Sequence, residues 1–314
     1  MRPNRLSRQI NKAKDIVKLT PRIVSQRLNT VSGRPLSPRV FYFVPGSNWA
    51  ADWVGRHIVN ALQVHKRPVE LTTSPWFLRQ EIIHFNALGA FVAAKNQTWP
   101  RKNKLIVTVF HGFSENDPHE ENKQSEELIQ NVHNLVSRKE TVERFVTTST
   151  IMKNRMLGWG LPENKITRIP LGIDLDQFKP APTAKKSKIR QQLGIPEKAF
   201  VVGSFQKDGV GWGEGMMPKY VKGPDYFVEA MVQAKKNIPN LFVLLTGPAR
   251  GFVKKGLSKA DVPFIHNILP NFSHIPQYYQ ALDCYLVASR EEGGPKAVLE
   301  AQAAGVPLIT TRVG

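Results

Sequence analysis

Cysteine is almost absent from this sequence. The 314 residues hold one, Cys284, inside the apolar run LDCYLVAS. A lone thiol excludes an intrachain disulfide framework and a cysteine-based zinc site, and it suits a reducing compartment. In that apolar setting Cys284 reads as a core residue. Long hydrophobic runs are missing as well, so no bilayer-spanning helix is expected. The first residues lack the apolar stretch of a secretory signal. No internal repeat at a fixed period is visible. Acidic residues are scarce: 25 Asp and Glu stand against 44 Lys and Arg, a formal net charge of +19 at pH 7.

What is present describes a soluble, globular chain long enough for two α/β domains, each with its own core. The charge is uneven. Residues 1–40 hold ten Lys and Arg and one acid, Asp15, for +9; the remaining 274 residues share +10. Leu6, Ile10, Ala13 and Val17 follow helical spacing, with Arg5, Arg8, Lys12 and Lys14 between them, and Pro21 is expected to end the helix. Two readings of this arm stand side by side. It lies on anionic lipid or touches nucleic acid, or it is a solvated, partly disordered tail.

Seven short apolar runs predict strands buried on both faces: 39–45, 105–112, 145–149, 200–205, 241–247, 284–289 and 307–311. Continuous apolar character points to parallel sheet. Helical patterns fall between several of them, at DWVGRHIVNALQV, SEELIQNVHNLVS, GPDYFVEAMVQAKKN and IPQYYQALD. This alternation predicts doubly wound α/β domains. The stretch KPAPTAKKSKIR (179–190) has no apolar periodicity and reads as a linker between domains or an entry to the second domain. The chain stops on a strand and the start of a loop, so the expectation is a second domain cut short.

The chemistry concentrates in two places. In SREEGGPKAVLEAQAAGVP (289–307), Glu292 and Glu300 flank a Gly-Gly turn that opens a helix. Pro295 suits a first helical turn, and Gly305 with Pro307 a stop. In doubly wound domains ligands sit at the carboxyl ends of strands. The backbone amides of Gly293, Gly294, Lys296 and Ala297 are therefore candidates to hold an anion, and the two carboxylates to accept hydrogen bonds from hydroxyl pairs. An anion flanked by hydroxyl-binding carboxylates describes a nucleotide-diphosphate sugar. Two surface glutamates on a helix cap, or an acid/base pair as in a glycosidase, fit the same spacing. The second place is GSFQKDGVGWGEGMMPKYVKGPD (203–225). There a strand leads to a Gly-rich loop with Lys207, and Lys222-Gly223 opens a helix; two lysines so placed suit a diphosphate.

Together these motifs resemble those of the retaining GT-B glycosyltransferases of family 4. EGGPKAVLEAQAAGVP is similar to the family's Glu-x7-Glu segment, and VKGPD to its Lys-Gly. Lys207 stands where the family usually has arginine, which keeps the charge and loses the bidentate fork. RIPLGIDLDQFKP (168–180) is similar to the family's interdomain segment, with Leu171 for the usual asparagine. VTVFHG (107–112) and EIIHFNALGAF (81–91) resemble two first-domain strands. The likeness covers roughly 40–314. It implies two doubly wound Rossmann-like domains facing a cleft, the second incomplete. The expected division is a basic arm at 1–38, an acceptor-side domain at 39–180 and a nucleotide-sugar domain at 181–314.

The resemblance also implies roles. Glu292 contacts the donor sugar and Glu300 the ribose. Lys207 and Lys222 neutralise the departing diphosphate, and the amides of Gly293, Gly294, Lys296 and Ala297 hold the distal phosphate and sugar. His111 lies near the donor sugar, while His84 reads as a satisfied histidine at a strand end. Asn48 and Asp52 are acceptor-side candidates in the loop 45–56. The implied reaction is retaining hexosyl transfer from a nucleotide sugar to a glycan or lipid-linked acceptor. It needs no cofactor or metal and takes place in the cytoplasm, with peripheral contact to an anionic membrane. A basic nucleic-acid-binding protein accounts for the charge but not for the Gly-rich loops, so a nucleic-acid partner is not expected. An inactive GT-B fragment remains a further alternative. So does another GT-B chemistry, a sugar-nucleotide epimerase or a phosphorylase, though no pyridoxal-lysine motif is visible.

Overall fold

The structure, a computed structural model, describes residues 5–32, 37–45, 50–94, 102–111 and 123–313. The chain packs as two compact units, Met1–Pro170 and Leu171–Gly314. The break falls ahead of the boundary expected at 180/181.

In the first unit the order is α1 (Arg5–Ser32), β1 (Val40–Phe43), α2 (Ala50–Val64), β2 (Val69–Thr72), β3 (Ile82–Phe85), α3 (Leu88–Ala93), β4 (Lys104–Thr108), α4 (Lys123–Ser137), β5 (Val142–Thr147), α5 (Thr150–Gly158) and β6 (Ile166–Arg168). The six strands form one parallel sheet in the order β2-β1-β3-β4-β5-β6. Ile83, Phe85, Phe91, Val107, Phe145 and Met152 build its main core.

Helix α1 corrects two expectations. Pro21 does not end it; the helix runs on to Ser32 with Pro21 inside. A proline removes one backbone donor and crowds the preceding turn. Anchors on both sides of Pro21 offset that cost. Asp15 accepts hydrogen bonds from the Thr72 hydroxyl at 2.7 Å and the Thr73 amide at 2.8 Å. Leu19 packs with Phe41 and Leu78. Arg22 Nε donates to the buried Glu81 at 2.6 Å, and Gln26 exchanges hydrogen bonds with the Arg79 backbone. One face of the basic arm is therefore part of the first unit rather than a solvated tail.

The second unit continues with α6 (Thr183–Gln192), β7 (Phe200–Phe205), α7 (Pro224–Asn237), β8 (Leu241–Thr246), α8 (Gly251–Lys259), β9 (Phe264–Asn267), α9 (Ile275–Gln280), β10 (Cys284–Val287), α10 (Lys296–Ala303) and β11 (Leu308–Thr310). Its parallel sheet has the order β11-β10-β7-β8-β9. Every residue of β8 is buried. Leu244 belongs to one core with Val201, Tyr279 and Tyr285, and Val243 and Leu245 to another with Phe227 and Leu257. Alternate side chains thus feed cores on opposite faces, the mark of a doubly wound sheet. Cys284 is buried in the second of these cores.

The stretch read as a linker is helix α6. It docks through charge: Lys186 and Arg190 reach opposite oxygens of Asp283 at 2.8 and 2.6 Å, and Ile189 supplies its one buried apolar side chain.

Candidate nucleotide-sugar site

Strand order places the site. From β7 the chain winds outward through β8 and β9, then returns to lay β10 and β11 on the other side of β7. The direction of winding reverses between β7 and β10, and ligands of such sheets bind at that reversal, beyond the carboxyl ends of the strands. Two loops meet there, one after Phe205 and one after Val287.

The loops are tied to each other through backbone. Arg290 N and Glu291 N both donate to Val221 O, at 2.9 and 3.3 Å. Gly223 sits in the left-handed region (φ 60°), and a Cβ there would lie 1.8 Å from the Ala288 carbonyl oxygen. The glycine of the Lys-Gly pair is thus required twice, by its dihedral and by the close approach of the start of α7 to the end of β10. Arg290 strengthens the join. Its guanidinium makes two hydrogen bonds to Asp225, at 2.7 and 2.5 Å, donates to Tyr220 O, and lies 3.7 Å from the Tyr226 ring centroid. These contacts keep Arg290 protonated and hold the Asp225 carboxyl below the usual carboxylate range.

That join brings Lys222 to Glu292. Nζ lies 2.6 Å from Oε1, which also accepts from the Ser289 hydroxyl at 2.8 Å. Gln206 donates to the Lys222 carbonyl at 3.1 Å, fixing the turn to the end of β7. Lys207 donates to Gly209 O at 2.9 Å, and its ammonium lies 5.2 Å from the Trp212 ring centroid.

Beneath the Gly-rich loop, Asp208 and Arg250 form a fully buried ion pair at 3.0 Å. Arg250 also donates to the carbonyls of Ser204, Gln206 and Thr246. Burial pushes the Asp208 carboxyl up, and the neighbouring guanidinium opposes that rise. With a further hydrogen bond to Ser204 Oγ at 3.1 Å, these contacts on one arginine fix where the segment carrying Lys207 leaves the sheet.

On the other side of the turn, Gly294 holds φ at 113° and Pro295 is the residue before α10. Lys296 and Ala297 occupy the first helical turn, whose amides have no acceptor within the helix. Glu300 follows one turn later and is 4% exposed. Its Oε2 accepts from Tyr279 Oη at 2.8 Å. Burial holds the Tyr279 phenol protonated, so the phenol is the donor. Oε1 lies 3.4 Å from Lys296 Nζ, and among the described residues no donor completes a hydrogen bond to it. Burial raises the Glu300 carboxyl above its ordinary range, against the pull of Lys296 and Tyr279. A buried carboxylate oxygen without a donor is costly unless a ligand supplies one.

The structure therefore brings Lys222, Glu292, Gly293, Gly294, Lys296, Ala297 and Glu300 to one end of the second sheet, with Lys207 two residues past the end of β7. In the first unit His111 is exposed in the segment after β4. His84 is the satisfied histidine: Nε2 lies 2.7 Å from Thr108 Oγ1, its ring packs on Tyr42, and burial lowers it to about 4. Asp52 is buried in the first turn of α2 rather than in a loop, and it accepts from Asn86 Nδ2 at 3.1 Å. Asn48 lies outside the described residues.

Sequence reading passed over Ser289, Tyr279, Arg290 and Lys219, which enter only through the fold. It also passed over Asp174-Leu175-Asp176, in letters an Asp-x-Asp. The structure makes Asp174 a turn cap, with Oδ1 accepting from the amides of Asp176 at 3.0 Å and Gln177 at 3.2 Å. Among the described residues, no group of three or more His, Cys, Asp or Glu side chains is placed to hold a metal ion.

Two parallel-sheet Rossmann-like domains, the second with its polar cluster at the winding reversal, define the class of GT-B glycosyltransferases. The solved structure of Anabaena Alr3699/HepE in complex with UDP-glucose superposes with a TM-score of 0.65, covering 88% of this chain and 81% of that one at 18% identity. Two family models share the sequence between them: "Glycosyltransferase Family 4" matches residues 29–177 and "Glycosyl transferases group 1" residues 213–314. The chain belongs to this glycosyltransferase family. The second match takes in Lys222, Glu292 and Glu300 but not Lys207. Among curated relatives, the lipopolysaccharide core biosynthesis mannosyltransferase LpsB of Rhizobium meliloti is 30% identical over 46% of this chain and 39% of its own length. The UDP-Gal:α-D-GlcNAc-diphosphoundecaprenol α-1,3-galactosyltransferase of Escherichia coli is 29% identical over 48% and 37%. The chain thus spans about two fifths of the length of these relatives.

Proposed function

We propose that this chain carries the donor site of a retaining glycosyltransferase, moving a hexosyl group from a nucleotide-diphosphate sugar to a hydroxyl of a glycan or lipid-linked acceptor. The observation that carries the reading is the meeting, at one end of the second sheet, of the Lys222–Glu292 pair with the half-satisfied buried carboxylate of Glu300. Ribose hydroxyls are donors of the kind Glu300 Oε1 lacks. Glu292, fixed by Lys222 and Ser289, faces the sugar hydroxyls, and the amides from Gly293 to Ala297 take the distal phosphate. His111 keeps the donor-sugar role that the family likeness implies.

Electrostatics carries the chemistry. The bond from the anomeric carbon to the diphosphate breaks as the acceptor oxygen bonds to that carbon on the same face, and the acceptor proton passes to the departing phosphate oxygen. Negative charge grows on the diphosphate, and Lys207, Lys222 and the helix-end amides stabilise it. We assign that neutralisation to the lysines rather than to a divalent cation.

Isothermal titration of UDP-, GDP- and ADP-sugars into the full chain tests the reading. The UDP-glucose complex of HepE makes uridine donors the first to try. One sugar binds, and Lys222→Ala and Glu300→Ala each weaken it by about tenfold or more, the worth of a charge-assisted hydrogen bond. Unchanged affinity in both variants removes the site.

We also propose that α1 meets an anionic membrane. With about 3.6 residues per turn, exposed Val17 and Val24 lie opposite the docked Asp15, Leu19, Arg22 and Gln26, and Lys12, Lys14 and Arg27 are exposed on the same helix. Apolar side chains flanked by cations suit an anionic lipid surface. Among the described residues no helix is long and apolar enough to cross a membrane.

A further inference from the structure

A third lysine stands in the cluster. Lys219 lies three residues before Lys222, and its backbone is stitched to both sides of the Gly-rich loop: its amide donates to Asp208 O at 2.7 Å, and its carbonyl accepts from Lys222 N at 2.8 Å. Gly209 and Pro218 pair across the base of the loop, so Lys219 returns beside Lys207.

The negative groups nearby are already committed. Asp208 is held by Arg250. Glu292 is the carboxylate that faces the lysines, and Lys222 and Ser289 occupy its Oε1. Among the described residues the Lys219 ammonium has neither an ion-pair nor a hydrogen-bond partner. Lys207, Lys219 and Lys222 thus gather beside Glu292, and a diphosphate diester carries two negative charges.

We propose that Lys219 is a third cationic ligand of the donor's diphosphate, and that donor binding draws a proton from solvent onto its amine. The proposal rests on the donor-site reading above. Burial comes first in weakening the hold of Lys219 on its proton, followed by repulsion from Lys222 and Lys207, with Glu292 opposing; together they bring it down to about 8. A bound diphosphate reverses the balance, because it adds negative charge beside the amine and its neighbouring lysines. Below pH 8 the amine is already charged and the donor binds without proton uptake. Above pH 8 each binding event takes one proton, so apparent affinity falls by up to about tenfold per pH unit.

The experiment is calorimetric titration of UDP-glucose, GDP-glucose and ADP-glucose into the full chain at pH 8, in two buffers of different protonation enthalpy. The diphosphate of these esters does not itself titrate there. Wild type takes up about half a proton on binding, as a group half-charged at that pH requires. Lys219→Arg, always charged, binds with no uptake. Lys219→Met binds about tenfold more weakly, also with no uptake. Wild-type affinity and wild-type proton uptake in Lys219→Met overturn the proposal. So does binding by wild type without proton uptake, which leaves the donor reading intact. A wild type that binds none of the three sugars overturns both.

Discussion

Glu300 is placed at a cost to the fold. The carboxylate is buried with one oxygen served by Tyr279 and the other without a hydrogen bond. Its proton affinity is raised in the folded state, so the sign follows: stability is full below the ordinary carboxylate range and is lost as pH rises through the folded value. At neutral pH Glu300→Gln should therefore raise the melting temperature, by about 2–4 °C, while weakening donor binding no more than Glu300→Ala does; a drop in melting temperature contradicts the burial account. His84 has the opposite dependence. Its folded value, about 4, lies below the ordinary 6.5, so its contribution is present above pH 6.5 and lost as pH falls toward 4. Urea titrations across that range should show a loss of at most about 3 kcal/mol that His84→Gln lacks. The meeting of Lys222, Glu292 and Glu300 at one end of the second sheet was legible because each stands in a loop or helix opening beside a readable apolar strand. Tyr279, Ser289 and Lys219 were not, since nothing local marks a tyrosine in α9 as the partner of a glutamate in α10.

At the level of elements, most central apolar strands and the edge strand β11 could be read from apolar runs, and three other edge strands could not. β2 (VELT), β6 (ITR) and β9 (FIHN) lie at sheet edges and carry polar residues, so no continuous apolar run announces them. Of the two readings of 179–190, the entry to the second domain holds; its helix α6 was missed because charge pairs to Asp283, rather than an apolar stripe, dock it. The Lys-Gly turn is the element on which the site depends. Gly223→Ala should cost about 2–3 kcal/mol, from strained backbone and the clash with Ala288 O. It should also weaken donor binding by separating Lys222 from Glu292, as denaturant unfolding and calorimetry on the same variant would show. A variant as stable as wild type removes the close approach from the account.

At the scale of the whole molecule, each unit has its own sheet and its own core, and the donor cluster belongs entirely to the second. The basic arm belongs to the first, an attachment hidden from sequence because its docking residues, Asp15, Arg22 and Gln26, are polar. Its outward face predicts co-sedimentation of the full chain with phosphatidylserine vesicles and not with phosphatidylcholine ones. Val17→Asp with Val24→Asp should reduce binding at least tenfold, and retained binding would assign the attraction to charge alone.

The most direct test of the donor site is hydrogen–deuterium exchange on the full chain with and without the nucleotide sugar found to bind. Slowed exchange concentrated in residues 205–225 and 289–301 is the predicted result. Protection that leaves both segments unchanged while appearing elsewhere would contradict a single diphosphate site at the reversal between β7 and β10.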